Sequence, residues 1–171
     1  MSLPALSPEI LAHPLEVHEE VVRPEWIDYN GHMNVAYYVL AFDHATDRLL
    51  DLLDLGIGYA RRARRSTFVL ETHVTYLREV TLRQRMRFTV RLLDADEKRL
   101  HYFIEMFGGD ERFLAATSEQ LALHVDLETR RSAAMPEATQ RAVATLLAAH
   151  RALPRPAAVG RAIGIRRGAS A

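Results

Sequence analysis

The spacing of apolar residues changes once along this chain, from helical to alternating, and this change restricts the possible folds more than any other feature. Apolar side chains recur at helical spacing between Val35 and Gly56, at Val39, Phe42, Leu49, Leu50 and Leu53. After Gly56 the spacing becomes two, in several segments of strand length. We therefore predict an α+β fold in which a curved antiparallel sheet of about five strands wraps round one long helix over residues 35–55.

The predicted strands flank this helix in the sequence. A first strand over Leu15–Val22 ends before Pro24, which cannot donate a hydrogen bond to a sheet. Beyond the helix, one face carries Met86, Phe88, Val90 and Leu92, and the other carries Arg83, Arg85, Arg87 and Arg91. In the preceding strand we assign Phe68, Leu70, Val74 and Tyr76 to one face, and Val69, Glu71, His73, Thr75 and Leu77 to the other. Strands through Leu100–Met106 and Phe113–Val125 and a C-terminal helix from Pro136 complete the pattern.

One domain accounts for the length of the chain. Its 171 residues are 49% apolar, which is enough for one substantial core. We place an irregular lead-in at residues 1–14, a single domain at 15–153 and a tail rich in Pro, Gly and Arg at 154–171. Because such a sheet has open edge strands, we expect two copies to pair edge to edge as a homodimer, or further as a dimer of dimers.

Charge and composition exclude several functional classes. Lys plus Arg equals Asp plus Glu, at 22 each, so no overall field favours nucleic acid or a membrane surface. The absence of cysteine removes disulfides, thiolate nucleophiles and cysteine-bound metals. No leader pattern or long apolar segment is present, and we expect a cytoplasmic protein. The eight histidines lack HExxH spacing, so none is predicted to bind metal, and no cofactor is expected.

The most informative motif is the polar loop that leads into the long helix, with Asp28, Asn30, His32 and Asn34. A helix start offers free backbone N–H groups and a partial positive charge, which suit an oxygen that becomes negative during a reaction. Asp28 then supplies the nucleophile or the general base. Structural roles remain open as well, because Asp favours turns and Asn34 is a typical helix N-cap.

The loop, the helix ending at Gly56 and the segment Thr72–Val80 resemble the hotdog-fold acyl-CoA thioesterases. Asp28, Gly31 and Tyr38 match the pattern of the 4-hydroxybenzoyl-CoA thioesterase type. Asp28, Asn30, His32 and Asn34 are similar to the acyl-carrier-protein type, although Val35 stands where another Asn is usual. The nearest likeness is to the betainyl-CoA thioesterases of carnitine breakdown, which extends to Gly160–Ile165.

This resemblance implies hydrolysis of a small acyl-CoA, such as betainyl-CoA, to a free acid and coenzyme A. It implies attack or base catalysis by Asp28, a backbone N–H near Val35 that polarises the thioester carbonyl, and roles for Asn30 and His32 in orienting water or the acyl group. Two alternatives stay open. The same fold supports enoyl-CoA hydratases and dehydratases, and a dimer that binds acyl-CoA without turnover is also compatible.

The remaining candidates are predicted contacts of the substrate. From the loop motif these are Gly31, Asn34 and Tyr38; for a quaternary ammonium group they are the aromatic residues Trp26, Tyr29 and Tyr37. Glu71 is a further catalytic candidate and His73 a substrate contact, from a strand that can approach the partner's helix in a dimer, or both lie in water. For the phosphates of coenzyme A we predict Arg61, Arg62, Arg64 and Arg65, with a second group at Arg161, Arg166 and Arg167.

Overall fold

The long helix and the antiparallel strands occur in the predicted order in the computed structural model, which describes residues 8–165. The elements are α1 (Pro8–Leu11), β1 (Leu15–Val21), α2 (Val35–Leu52), α3 (Ile57–Ala63), β2 (Arg65–Tyr76), β3 (Arg85–Ala95), β4 (Arg99–Gly108), β5 (Phe113–Asp126), β6 (Arg131–Ser132) and α4 (Glu137–Arg151). A single 3-10 turn, Pro24–Trp26, lies between β1 and α2 within these residues.

The strands form one antiparallel sheet in the order β1-β3-β4-β5-β2, with the short β6 paired to β5. The ends of this path are β1 and β2, and α2 packs against the inner face of the sheet. The predicted α+β architecture, a curled antiparallel sheet around a long helix, is confirmed. Within the described residues, none of the helices is both long enough and apolar enough to cross a bilayer.

Helix α2 begins where the sequence predicts. Asn34 is its N-cap, and the Asn34 side chain accepts a hydrogen bond from the Ala36 N–H at 2.9 Å. The buried stripe of the helix includes Tyr38 and Phe42, and Phe42 meets Phe88 of β3 edge to face, with ring centroids 5.9 Å apart. This stripe holds α2 against the sheet.

The end of α2 differs from the prediction. The helix stops at Leu52, and Gly56 is instead the N-cap of α3, a short helix that the sequence analysis did not identify. Seven residues are too few for a clear helical period, and a Gly can mark either end of a helix. Tyr59 anchors α3, because its buried hydroxyl lies 2.9 Å from Nε2 of His124 on β5.

The predicted alternation in β3 is confirmed. Met86, Phe88, Val90 and Leu92 are at most 1% exposed. The arginines between them lie on the outer face, where Arg87 contacts Glu19 of β1 at 3.0 Å. The matching positions of β4, from Leu100 to Met106, are buried on the same inner side. These two central strands supply much of the surface on which α2 rests.

Strand β2 departs from the predicted alternation because a bulge interrupts it. Its pairing with β5 shifts between Val69 and Glu71, so Leu70 has no partner in the register. Val69 lies opposite the fully buried Ala122, whereas Phe68 lies opposite Leu123. Phe68 therefore lies on the outer face and Val69 on the inner face. Relative to the residues after the bulge, each lies on the face opposite to the one predicted.

After the bulge, Glu71 and His73 share the outer face of the sheet, as their spacing predicts. His73 pairs with Glu119 of β5. The next residue of β5, Gln120, points inward, where its side-chain oxygen accepts a hydrogen bond from Thr46 of α2 at 3.3 Å. The sheet therefore separates Glu71 and His73 from the long helix.

The two ends of the described chain are more ordered than a lead-in and a tail imply. Pro8–Leu11 is helical within the segment predicted to be irregular. At the other end, the carbonyl of Pro154 accepts a hydrogen bond from Arg91, and the Gly160 N–H donates to Glu119. The predicted phosphate contacts Arg166 and Arg167 lie outside the described residues.

Candidate active site

A short antiparallel bridge closes the polar loop before α2. Ile27 pairs with Met33, the Asp28 N–H donates to the carbonyl of His32 at 3.1 Å, and the Asn34 N–H donates to the carbonyl of Trp26 at 2.9 Å. These bonds tie both ends of the loop together. Asp28 is therefore fixed next to the residues that start the helix.

The carboxylate of Asp28 organises the tip of this loop. One oxygen accepts the Asn30 N–H at 2.8 Å, and the Asp28 carbonyl accepts the Gly31 N–H at 3.0 Å. Gly31 has φ +83°, and a Cβ there would meet no atom within 4 Å, so the backbone conformation and not space favours glycine. This turn uses one oxygen of the half-buried Asp28 carboxylate. A catalytic role for Asp28 stays a prediction.

Within the described residues, the N-terminus of α2 has one backbone N–H that lacks both a capping acceptor and a turn acceptor. The capping bond of Asn34 engages the Ala36 N–H, and the Tyr37 N–H donates to the Asn34 carbonyl at 3.0 Å. The N–H of Val35 has no acceptor among residues 8–165, and the Val35 side chain is 59% exposed. An accessible amide at the positive end of a helix is the arrangement that polarises a carbonyl oxygen.

His32 links the loop to the segment between β2 and β3. Its Nε2 lies 3.8 Å from a carboxylate oxygen of Glu79, and its side chain is half-buried. The Met33 N–H donates to the carbonyl of Val80 at 2.9 Å in the same region. His32 and the exposed Asn30 thus lie at the loop surface, where their predicted roles in orienting water or substrate remain predictions.

The three aromatic candidates for a cationic acyl group do not form an open cage within one chain. Trp26 is only 3% exposed, with Tyr37 stacked on it at 5.5 Å and the Arg23 guanidinium 5.0 Å from its ring centroid. Tyr29 is 96% exposed. The burial of Trp26 argues against its predicted contact with substrate.

Tyr38 also belongs to the core. It is 4% exposed, its hydroxyl accepts the Val80 N–H at 3.1 Å, and its ring meets Tyr76 of β2 edge to face at 5.2 Å. Burial raises the pKa of Tyr38, with the Val80 hydrogen bond acting in the opposite direction. These contacts argue against the predicted substrate contact and assign Tyr38 to the packing of α2 on β2.

Three of the predicted residues meet on the other side of the sheet. Glu71, His73 and Arg161 line a cavity of about 610 Å³ on the outer face, beneath the C-terminal segment. Glu119 holds this segment, because its carboxylate contacts Nε2 of His101 at 2.8 Å and accepts the Gly160 N–H at 2.7 Å. The cavity is rich in carboxylates, so it is a weak match for the phosphates expected at Arg161.

A second cleft, of about 400 Å³, lies on the inner face between α2 and the first half of β2, and sequence analysis missed it. Asp43 and Asp47 line it, one helical turn apart. Burial raises the pKa of Asp47, and the negative charges of Asp43 and Asp51 raise it further. The i, i+4 spacing of these acids was the available signal, although such spacing is equally typical of a solvated helix face.

The predicted arginine run follows α3, and most of its members have acidic neighbours. Arg62 contacts Asp54 at 2.6 Å, Arg64 contacts Glu128 at 3.8 Å and Arg65 contacts Asp126 at 3.7 Å. Arg61 has no such ion pair within the described part of the chain. The 18 residues of α2 span about 27 Å and separate this run from Asp28, so one chain alone does not bring them together.

Residues 22–143, which contain the loop and the sheet, match the model of the thioesterase-like superfamily. The chain belongs to this superfamily. It is 39% identical over 155 residues to the betainyl-CoA thioesterase of Pseudomonas aeruginosa, covering 91% of this chain and 98% of that protein. It is also 33% identical over 154 residues to an L-carnitine dehydrogenase/betainyl-CoA thioesterase of Rhizobium meliloti. The aligned residues are 90% of this chain and 31% of that longer relative.

Solved structures agree with this assignment. A hypothetical protein from Staphylococcus aureus, in complex with CoA, superposes with a TM-score of 0.82 at 30% identity, covering 90% of this chain and 97% of that one. A 1,4-dihydroxy-2-naphthoyl-CoA thioesterase from Synechocystis, with a TM-score of 0.66 at 15% identity and coverage of 74% and 93%, shares the fold. The predicted family, hotdog fold and thioester hydrolase activity are confirmed.

Proposed function

We propose that this thioesterase hydrolyses betainyl-CoA, releasing betaine and free coenzyme A, and that Asp28 carries the chemistry. The relative of that name in Pseudomonas aeruginosa aligns with nearly the whole chain. The observation that supports the mechanism is the closed loop, which ties Asp28 to the residues just before the helix start that carries the free Val35 amide.

The two groups have complementary tasks. The Val35 N–H and the positive end of α2 stabilise the carbonyl oxygen as it becomes negative. The Asp28 carboxylate either adds to the carbonyl carbon or removes a proton from an attacking water. The C–S bond then breaks, and the thiolate of coenzyme A leaves with the electron pair. Since this thiolate is a good leaving group, the mechanism needs no strong general acid.

We propose further that two copies complete each site by pairing their β2 strands. In a two-fold antiparallel pair centred on β2, Arg65 of one copy lies opposite Tyr76 of the other. Tyr76 contacts Tyr38, whose hydroxyl binds the same Val80 that anchors the Asp28 loop. The arginine run of one copy thereby approaches the loop of the other, where it can bind the phosphates of coenzyme A.

The test of this function is release of free thiol from betainyl-CoA by the purified protein. The Asp28→Asn variant keeps an acceptor for the Asn30 N–H but loses the carboxylate, and we expect its kcat to fall by about 10²–10⁴. Asp47→Asn is the matched comparison, because the Asp47 carboxylate lines the inner cleft and its pKa is also raised. Full activity of Asp28→Asn with loss in Asp47→Asn would move the chemistry to the cleft.

Substrate choice needs a second comparison. The neutral isostere 3,3-dimethylbutyryl-CoA has the shape of betainyl-CoA without its positive charge. We expect kcat/KM to favour betainyl-CoA by at least about tenfold, the effect of about 1.4 kcal/mol in transition-state binding. Equal rates would refute charge recognition while leaving thioester hydrolysis intact, and tight binding without thiol release would favour an acyl-CoA sensor.

Single-turnover hydrolysis in H₂¹⁸O tests for an anhydride that water cleaves at Asp28. If the carboxylate attacks the carbonyl and water then cleaves the resulting anhydride at the aspartyl carbon, ¹⁸O enters Asp28. If Asp28 activates water, ¹⁸O appears only in the released acid. Mass spectrometry of the peptide that contains Asp28 distinguishes these outcomes.

A further inference from the structure

Three potential metal ligands meet between the edge strand β1 and the middle of α2. His18 and Glu20 are two residues apart on β1 and pair with the buried Phe88 and Met86 of β3, so both point to the inner face. The third ligand, His44, comes from α2, which packs on this face. Two imidazoles and a carboxylate on the apolar side of a sheet are unusual, because such a face normally buries hydrocarbon.

Their separations suit one bound ion. Nδ1 of His44 lies 3.1 Å and Nε2 of His18 lies 3.4 Å from the same carboxylate oxygen of Glu20, and all three ligand atoms lie within 4.8 Å of one another. Ligands at about 2.0–2.2 Å from a tetrahedral Zn²⁺ are about 3.3–3.6 Å apart. Small side-chain adjustments are therefore sufficient to bring the three atoms to one metal.

The charges at this position also favour a cation. Glu20 is 9% exposed, and its ion-pair partners in the described chain are His18 and His44, without a Lys or Arg. Nε2 of His18 is buried and makes no hydrogen bond there, although it lies close to Glu20. A nearly buried carboxylate and an unbonded imidazole nitrogen are groups that a divalent ion stabilises directly.

We propose that His18, Glu20 and His44 bind one divalent transition-metal ion, with Zn²⁺ as the first candidate and water in the fourth position. The ion joins β1 to α2. His44 lies nine residues after Val35, about 14 Å along the helix, so this ion is distinct from the proposed thioester site and stabilises the fold. The sequence analysis predicted no ligand histidine because it considered local spacing, whereas these ligands come from two elements.

The experiment measures binding of Zn²⁺, and separately of Co²⁺, to protein stripped with a chelator. We expect one equivalent of Zn²⁺ by calorimetry, Co²⁺ absorption bands of low coordination number, and a Tm that rises by about 5–10 °C at a Zn²⁺ concentration 100 times Kd. Glu20→Gln and His44→Gln should each weaken binding by at least about tenfold. None of these measurements depends on hydrolysis, so they are independent of the proposed function.

The matched control is His101→Gln. Nε2 of His101 lies 2.8 Å from a carboxylate oxygen of Glu119, which is a similar pair. Among the described residues no third potential ligand joins them, so this variant should bind Zn²⁺ like the unmodified protein. Absence of saturable binding would overturn the proposal, as would binding that Glu20→Gln and His44→Gln leave unchanged. Circular dichroism at 25 °C establishes that each variant is folded, and Co²⁺ spectra then report the site itself.

Discussion

The two edges of the sheet differ in length, charge and exposure. On β1, seven residues long, Glu16 contacts Arg112 at 2.6 Å, and Glu19 forms ion pairs with Arg85 and Arg87. On β2, twelve residues long, three consecutive apolar side chains at the bulge are exposed, Phe68, Val69 and Leu70 by 40%, 41% and 55%, followed by the exposed Glu71 and Thr72.

This difference indicates which edge is better suited to the proposed pairing. Charged side chains on a short strand oppose pairing with another sheet, whereas a long apolar edge favours it. Apolar side chains are also exposed at the end of β2, since Tyr76 and the next residue, Leu77, are about half-exposed. The β2 edge is therefore better suited than the β1 edge to the proposed pairing with a second copy.

The largest expected effect follows from placing a charge on the apolar edge. Val69→Lys puts two lysines near the proposed two-fold axis, so we expect a monomer by analytical ultracentrifugation. Because each site would lose the partner's arginine run, thiol release should fall by about 100-fold. Val21→Lys on β1 is the matched control, since Val21 is 43% exposed, and it should leave both assembly and activity unchanged.

A dimeric, active Val69→Lys protein would refute the role of β2. If Val21→Lys instead dissociates the protein, the assignment of the two edges must be exchanged. Either result is visible in the sedimentation coefficient before any activity is measured.

The next largest effect is expected at His150, on the β1 side of the sheet. His150 of α4 is 2% exposed, and its Nδ1 accepts the N–H of Leu92, two residues beyond Val90, the last β3 partner of β1. Burial lowers the pKa of His150 to about 4. Between this value and about 6.5 the unfolded chain binds more protons, so stability rises with pH.

The contribution of His150 is therefore fully present above about pH 6.5 and is lost as the pH falls to about 4, by about 3 kcal/mol. Urea unfolding at several pH values measures this loss. His150→Gln keeps an acceptor for the Leu92 N–H without a titrating group, and should reduce the slope of stability against pH in this range. An unchanged slope would assign the acid sensitivity to other groups.

A smaller effect is expected near β2. Tyr38→Phe leaves the buried Val80 N–H without its acceptor, which should reduce the free energy of unfolding by about 1–3 kcal/mol, without pH dependence between 5 and 8. Tyr37→Phe is the control, because the Tyr37 hydroxyl makes no hydrogen bond in the described region. Equal destabilisation by both changes would show that the Val80 bond contributes little.

The strands were predictable where one face is buried throughout. β3 follows its alternation because the inner-face residues from Met86 to Leu92 are buried without interruption. In β2 a single inserted residue, Leu70, exchanges the faces of Phe68 and Val69, and no local signal in the sequence marks such a bulge. The same limitation hid α3, whose identity depends on the tertiary contact of Tyr59 with His124.

The candidate site was predictable only where it is contiguous. The loop from Asp28 to Asn34 could be read directly, because its turn and capping chemistry act over a few residues. That Glu71 and Arg161 line the same cavity could not be predicted, since this depends on the course of the C-terminal segment over the sheet. Distances between remote elements follow from topology and not from spacing.

The bridge between Ile27 and Met33 has a practical consequence for engineering this enzyme. It sets the number of residues between its two ends, and the carbonyl of Val80 pins one of those ends to the segment before β3. An inserted or deleted residue would rotate Asp28 away from the helix even if every side chain were retained. Libraries that seek new acyl preferences should exchange side chains in this loop and keep its length.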